Sequence, residues 1–168
     1  MGSPCPATRR RRAVPHVFEF MENYRNVSIP APDMDGVTLT CSLDVGLSDS
    51  DIPAGATRQL REFWRRTSEG LLLVDEKFGI CGLTLRNPTG AKQRSRDRAD
   101  DGYEVSDSDW VLGEFVGDTD MLIIDADDAV LISAGSYPRR DWYRFESLTD
   151  VLSKYVETTA EKYWELTR

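Results

Sequence analysis

Leu60, Phe63 and Trp64 fall at i, i+3 and i+4, with Arg61, Glu62, Arg65 and Arg66 between and after them. That spacing puts the three apolar side chains on one stripe of a helix and leaves the charges in water. Arg65 and Arg66 suit the negative end of the helix dipole. Gly70 is a residue that can stop a helix in the left-handed region, and the apolar run 71–74 behind it has the length of a strand. The pattern predicts a short amphipathic helix that ends on glycine and feeds a core strand.

Around this centre, residues 37–43 alternate apolar and polar after an Asp35-Gly36 turn. Val37, Leu39, Cys41 and Leu43 then share one face, and the segment reads as an edge strand. Residues 71–74 and 78–85 read as two strands joined around Asp75-Glu76-Lys77, the second closed by a turn at Asn87-Pro88-Thr89-Gly90. Three more apolar runs, 110–116, 121–125 and 129–133, are separated by compact turn-forming links and predict an antiparallel meander. Leu148, Val151, Leu152, Tyr155, Thr159 and Tyr163 recur at helical spacing behind Ser147, whose partner at N3 is Asp150. Residues 23–32 are irregular, with extended backbone forced at Pro30 and Pro32. Residues 91–102 are highly charged and carry no apolar stripe, so they are expected to form an exposed loop or a loose helical turn. The fold predicted is α+β, an antiparallel or mixed sheet with helices packed on one side.

Composition narrows this picture. With 168 residues, 40% hydrophobic and 30% charged, the chain has the make-up of one soluble globular domain. No apolar run approaches the ~18 residues of a membrane span. Residues 1–20 hold three prolines by position 15 and the run Arg9–Arg12, and read as a flexible basic leader before a single domain over 21–168. The apolar stretch behind the arginines meets Glu19 too soon to be the core of an export signal, so a cytoplasmic protein is expected. The one histidine, His16, lies in that leader, which leaves nucleophile-plus-base catalysis without a proton acceptor. Cys5, Cys41 and Cys81 are odd in number and have no CxxC spacing, against both a disulfide framework and a zinc site. Phosphate-binding glycine loops are missing too. No catalytic residue, cofactor or metal is expected.

Charge then points to a partner. The net charge is −8, and setting aside the four positive charges of Arg9–Arg12 leaves −12 for residues 13–168. Between Ala99 and Pro138 stand eleven acids and no Lys or Arg. Asp118-x-Asp120 and Asp125-x-Asp127 place hard oxygen ligands at alternate positions, but neither has the glycine and glutamate of a calcium loop. A looser Mg²⁺ site and a pair of glycosidase carboxylates are the enzymatic readings of these acids; turn chemistry is the plain one. Collectively, acids on one edge of a sheet would steer a basic protein towards it, which disfavours nucleic acid and anionic membrane as partners. The residues expected to meet that partner are Tyr103, Glu104, Asp107, Asp109, Glu114, Asp118, Asp120, Asp127, Asp128 and Tyr137. Trp110 and Phe115 lie on strands and are expected in the core.

The stretch Arg61-Glu62-Phe63-Trp64-Arg65-Arg66-Thr67-Ser68-Glu69-Gly70, with Gly46-Leu47-Ser48-Asp49-Ser50-Asp51-Ile52-Pro53 ahead of it, resembles the helix-and-glycine signature of the SUKH superfamily, the Smi1/Knr4-type domains. The resemblance covers about residues 46–157. Ser68-Glu69-Gly70 stands where the family commonly has Asn-Gly, and its long first helix is not obvious before residue 46. The resemblance implies an α+β domain without catalysis. It also implies a bacterial immunity protein that binds and blocks a cognate toxin, often one acting on nucleic acids. The alternative within the family is a regulatory or scaffold module that binds a host protein; outside it stands a carboxylate-dependent enzyme.

Overall fold

The computed structural model describes residues 17–135 and 137–167; Cys5, the arginine run and His16 lie outside them. Eight strands form one sheet whose spatial order is the order of the chain: β1 Asn26–Pro30, β2 Thr38–Leu43, β3 Gly70–Asp75, β4 Leu83–Leu85, β5 Trp110–Phe115, β6 Met121–Ile124, β7 Val130–Ile132 and β8 Tyr143–Phe145. Every neighbouring pair is antiparallel, so the sheet is a meander and not mixed. Helix α1 (Arg58–Arg66) is inserted between β2 and β3, α2 (Pro88–Asp100) between β4 and β5, and α3 (Leu148–Glu157) follows β8.

The central strands read as unbroken apolar runs because both of their faces are covered. Leu112, Leu122, Ile124, Val130 and Ile132 face the main core with α1 and α3. Val111, Met121, Ile123 and Leu131 turn the other way, under Val105 and Trp142. Leu60, Phe63 and Trp64 of α1 are fully buried, as their spacing predicts. The Trp64 ring meets Trp110 edge-to-face at 5.4 Å, and its Nε1–H donates to the Arg86 carbonyl at 3.0 Å.

Several expectations need correction. Helix α1 ends in an extended Thr67, not at Gly70. Gly70 instead opens β3 between two strands, where a Cβ would stand 2.1 Å from the Ser42 carbonyl oxygen. Strand β2 is not at the edge, because β1 pairs with it along its length; β1 itself is nearly all exposed, so the alternation of Val27 and Ile29 buries almost nothing. Residues 17–20, expected in the leader, belong to the core region: Phe18 is buried and meets Phe63 edge-to-face at 5.6 Å. Helix α3 is capped as expected, the Asp150 N–H reaching Ser147 Oγ at 3.1 Å. It stops at Glu157, though, because Thr159 and Ala160 both adopt positive φ. The core residue beyond that break is Trp164, stacked on Tyr155.

The largest correction is α2. Residues 91–102 were expected to lack an anchor, yet a well-capped helix runs through them. Asn87 accepts the Gly90 N–H at 2.8 Å and Pro88 sits at the first helical position, where no N–H is needed. The anchor is polar: the Ser95 hydroxyl is shared between the Ala91 and Asp109 carbonyls and accepts the Val111 N–H, beside the buried methyl of Ala91.

A bulge joins β2 to β3. Leu72 and Leu73 together oppose Cys41, and Leu73 takes a left-handed φ of 54°. The thiol of Cys41 accepts the otherwise stranded Leu73 N–H at 3.3 Å. Cys41→Val keeps the volume but removes this acceptor, and should cost about 1–3 kcal/mol in urea unfolding. Cys41→Ser should recover part of that loss; equal stabilities for Val and wild type would refute the role.

Candidate functional site: an acid-rimmed aromatic groove

At least six of the eleven acids between Ala99 and Pro138 are already matched, by cations from either side of that span, among them Asp128 by Arg58 at 3.9 Å. Glu114, alternating with Phe115 on β5, receives Arg86 from the end of β4 and Arg94 and Arg98 from successive turns of α2, at 2.6–2.9 Å for the closest pairs. Burial alone would raise its pKa, but the hydrogen bonds from Arg94, Arg98 and Arg86 outweigh it and hold the carboxyl down to about 2. The Glu114 carboxylate, expected to meet a partner, is thus engaged in pinning α2 to the sheet.

Asp109 is likewise internal. It is fully buried, takes both Arg139 Nη atoms at 2.5 and 2.9 Å, and accepts the Ser106 N–H. Arg139 also donates to the Glu104 carbonyl at 2.9 Å, so this one guanidinium ties the 104–109 loop to the segment after Tyr137. Asp128 accepts the Gln59 N–H at the start of α1, and Gln59, itself buried, binds the carbonyls of Asp128 and Glu146 and the Leu148 N–H. That carboxylate is a helix cap.

The alternate aspartates considered as metal ligands are in tight turns. Asp118 accepts the Asp120 N–H and pairs with Lys162; Asp120 accepts the Gly135 N–H and also meets Lys162. Burial raises the Asp120 carboxyl and lowers the Lys162 ammonium from their ordinary values. Asp125 holds the N–H groups of Asp127 and Ala129 and pairs with Arg144. Among the described residues no group of three or more His, Cys, Asp or Glu side chains is placed to hold a metal ion.

What is left at the surface converges. A hollow of about 510 Å³ is lined by Asp101, Tyr103, Glu104, Tyr137, Pro138 and Trp142. It adjoins a second of about 540 Å³, with Thr119, Gly135 and Tyr137 common to both and Asp118, Asp120, Tyr143, Lys162 and Glu165 beyond them. The walls are held firmly. Tyr103 lies under the Arg98 guanidinium at 4.9 Å, and Trp142 donates its Nε1–H to the Tyr137 carbonyl at 2.9 Å. Asp101 and Glu104 are exposed on the rim.

Of the expected contact residues, the groove therefore brings together Tyr103, Glu104, Asp118, Asp120 and Tyr137. Asp107 and Asp127 are exposed but are not among the lining residues. Asp109, Glu114 and Asp128 serve the fold. Sequence reasoning missed Asp101, counted among the acids but not chosen, and Trp142, Lys162 and Glu165, which lie beyond the acidic span and reach it only through β8 and the chain after α3. No protein-family model, curated protein or solved structure matches this chain. The class shown is the α+β one, with a wholly antiparallel sheet; no helix of the described residues is long and apolar enough to cross a membrane.

Proposed function

We propose that this is a non-catalytic protein-binding domain whose groove receives a basic segment of a protein partner. The observation that carries the reading is the groove itself: Tyr137 stands exposed between Tyr103 and Trp142, which are braced by Arg98 and Arg139, and the carboxylates of Asp101 and Glu104 are exposed on the rim. The exposed Tyr137 ring and the two rim carboxylates both favour Lys and Arg side chains. A pre-formed trough also loses little entropy on binding. Together with the resemblance to SUKH domains, this supports a cytoplasmic immunity protein that blocks a basic toxin domain. The family's regulatory or scaffold role is the second reading, and the same groove would serve it.

Binding of a labelled peptide of alternating Arg and Ser, followed by fluorescence anisotropy, tests the groove. Affinity should fall severalfold between about 50 and 300 mM salt, because the pairs are exposed and screened. Asp101→Asn/Glu104→Gln should weaken binding by about tenfold with unchanged unfolding. Binding that ignores both salt and the double substitution would overturn the assignment. For the immunity reading, co-expression with toxin domains encoded beside this protein should restore growth, and no protection would count against it.

A further inference from the structure

The β3–β4 connection displays two large apolar side chains, Phe78 at 60% and Ile80 at 49% exposure. Its backbone is held by a buried acid. The buried carboxylate of Asp75 accepts the N–H groups of Lys77 at 3.0 Å, Phe78 at 3.1 Å and Ile80 at 3.4 Å, while the Gly79 N–H returns to the Asp75 carbonyl. Gly79 itself, at φ 64°, faces open space. A buried acid thus shapes a loop that exposes Phe78 and Ile80 beside Glu76 and Lys77, with the Lys77 ammonium 4.8 Å from the Phe78 ring centroid. Exposed side chains of that size, held rigid, are the kind that anchor protein interfaces.

The loop is also continuous with the groove. At Gly117, just before Asp118, a Cβ would lie 2.7 Å from the Ile80 carbonyl oxygen, so the β5–β6 turn rests directly on this loop. Ile80 and Lys162 line one small cavity of about 110 Å³, and Lys162 lines the second hollow of the groove as well. Asp118 and Tyr137 line that second hollow, and Tyr137 and Glu104 line the first.

We propose that Phe78 and Ile80 are the apolar anchors of the interface whose acidic half is the groove, and that the occupant is a polypeptide segment carrying apolar side chains beside Lys or Arg. The inference rests on the groove reading above. A second copy of this chain is the poorer occupant, because each copy brings a net charge of −8 and the acids flank the anchors.

The test compares two labelled peptides of equal length and charge, one alternating Arg and Leu, the other Arg and Ser. The Arg-Leu peptide should bind wild type at least about tenfold more tightly, and Phe78→Ser/Ile80→Ser should abolish that advantage while leaving Arg-Ser binding as it was. Phe78→Ser alone should remove part of it, should the double variant fold poorly. If both peptides bind equally, or the advantage survives in the variants, the anchor inference is overturned and the groove reading stands. If neither peptide binds, both fall. Concentration-dependent dimerisation in sedimentation, lost in the variants, would reassign the loop to self-association and overturn the proposal.

Discussion

Glu114→Gln should lower the unfolding free energy by about 3 kcal/mol at neutral pH, and this deficit should vanish in acid. One carboxylate holds three guanidiniums, with Arg98 only 13% exposed and Arg86 and Arg94 no more than about a third exposed. Removing its charge leaves three like charges facing each other on α2 and β4. The folded carboxyl titrates at about 2, below its ordinary value of 4.5. Its contribution is therefore fully present above about pH 5 and is lost as pH falls through 2. Urea titrations of both proteins at neutral pH and near pH 2 give the two differences directly. A deficit of equal size at both would show that packing, not charge, is what Glu114 supplies.

Trp64→Ala should cost about 3–5 kcal/mol, the range for removing a large aromatic from a core. The side chain is wholly buried, meets Trp110 edge-to-face and donates to the Arg86 carbonyl, so the truncation opens a cavity and strands a carbonyl together. Trp64→Phe should lose less, since it keeps most of the apolar contact and forfeits chiefly the hydrogen bond. The two substitutions also bear on the groove from a distance. Arg86, whose carbonyl Trp64 holds, grips Glu114, and Glu114 seats the helix that carries Arg98 over Tyr103. Equal losses for Ala and Phe would place the hydrogen bond, not packing, at the centre of the core.

The comparison of sequence with structure divides along the kind of force involved. Helices α1 and α3 and the strands β2, β3, β5, β6 and β7 were legible because each buries a periodic or continuous apolar set. Strands β1 and β8 bury little and lie at the two edges, and their alternation spans only two apolar positions each, Val27 and Ile29 in β1 and Tyr143 and Phe145 in β8. Helix α2 was hidden for a different reason: its hold on the sheet is made by Ser95, Arg94 and Arg98, and polar anchoring leaves no stripe. The same cause blurred the site. The absence of Lys and Arg from 99–138 is real, yet the sheet brings Arg86, Arg94, Arg98, Arg139, Arg144 and Lys162 to the acids from outside it. Charge counted along a chain says nothing of charge across strands. A readable signal did exist for the apolar loop, since Asp75 two residues before Lys77 and four before Gly79 has the spacing of a side-chain-capped turn.

That the groove is a receptor for cationic side chains is tested most directly by amide and indole shifts in ¹⁵N-labelled protein titrated with the Arg-Ser peptide. Saturable changes confined to Asp101, Tyr103, Glu104, Thr119, Gly135, Tyr137 and the Trp142 indole, with the first turns of α2 silent, are the expected result. No change there, or a response centred on another face of the sheet, would contradict it.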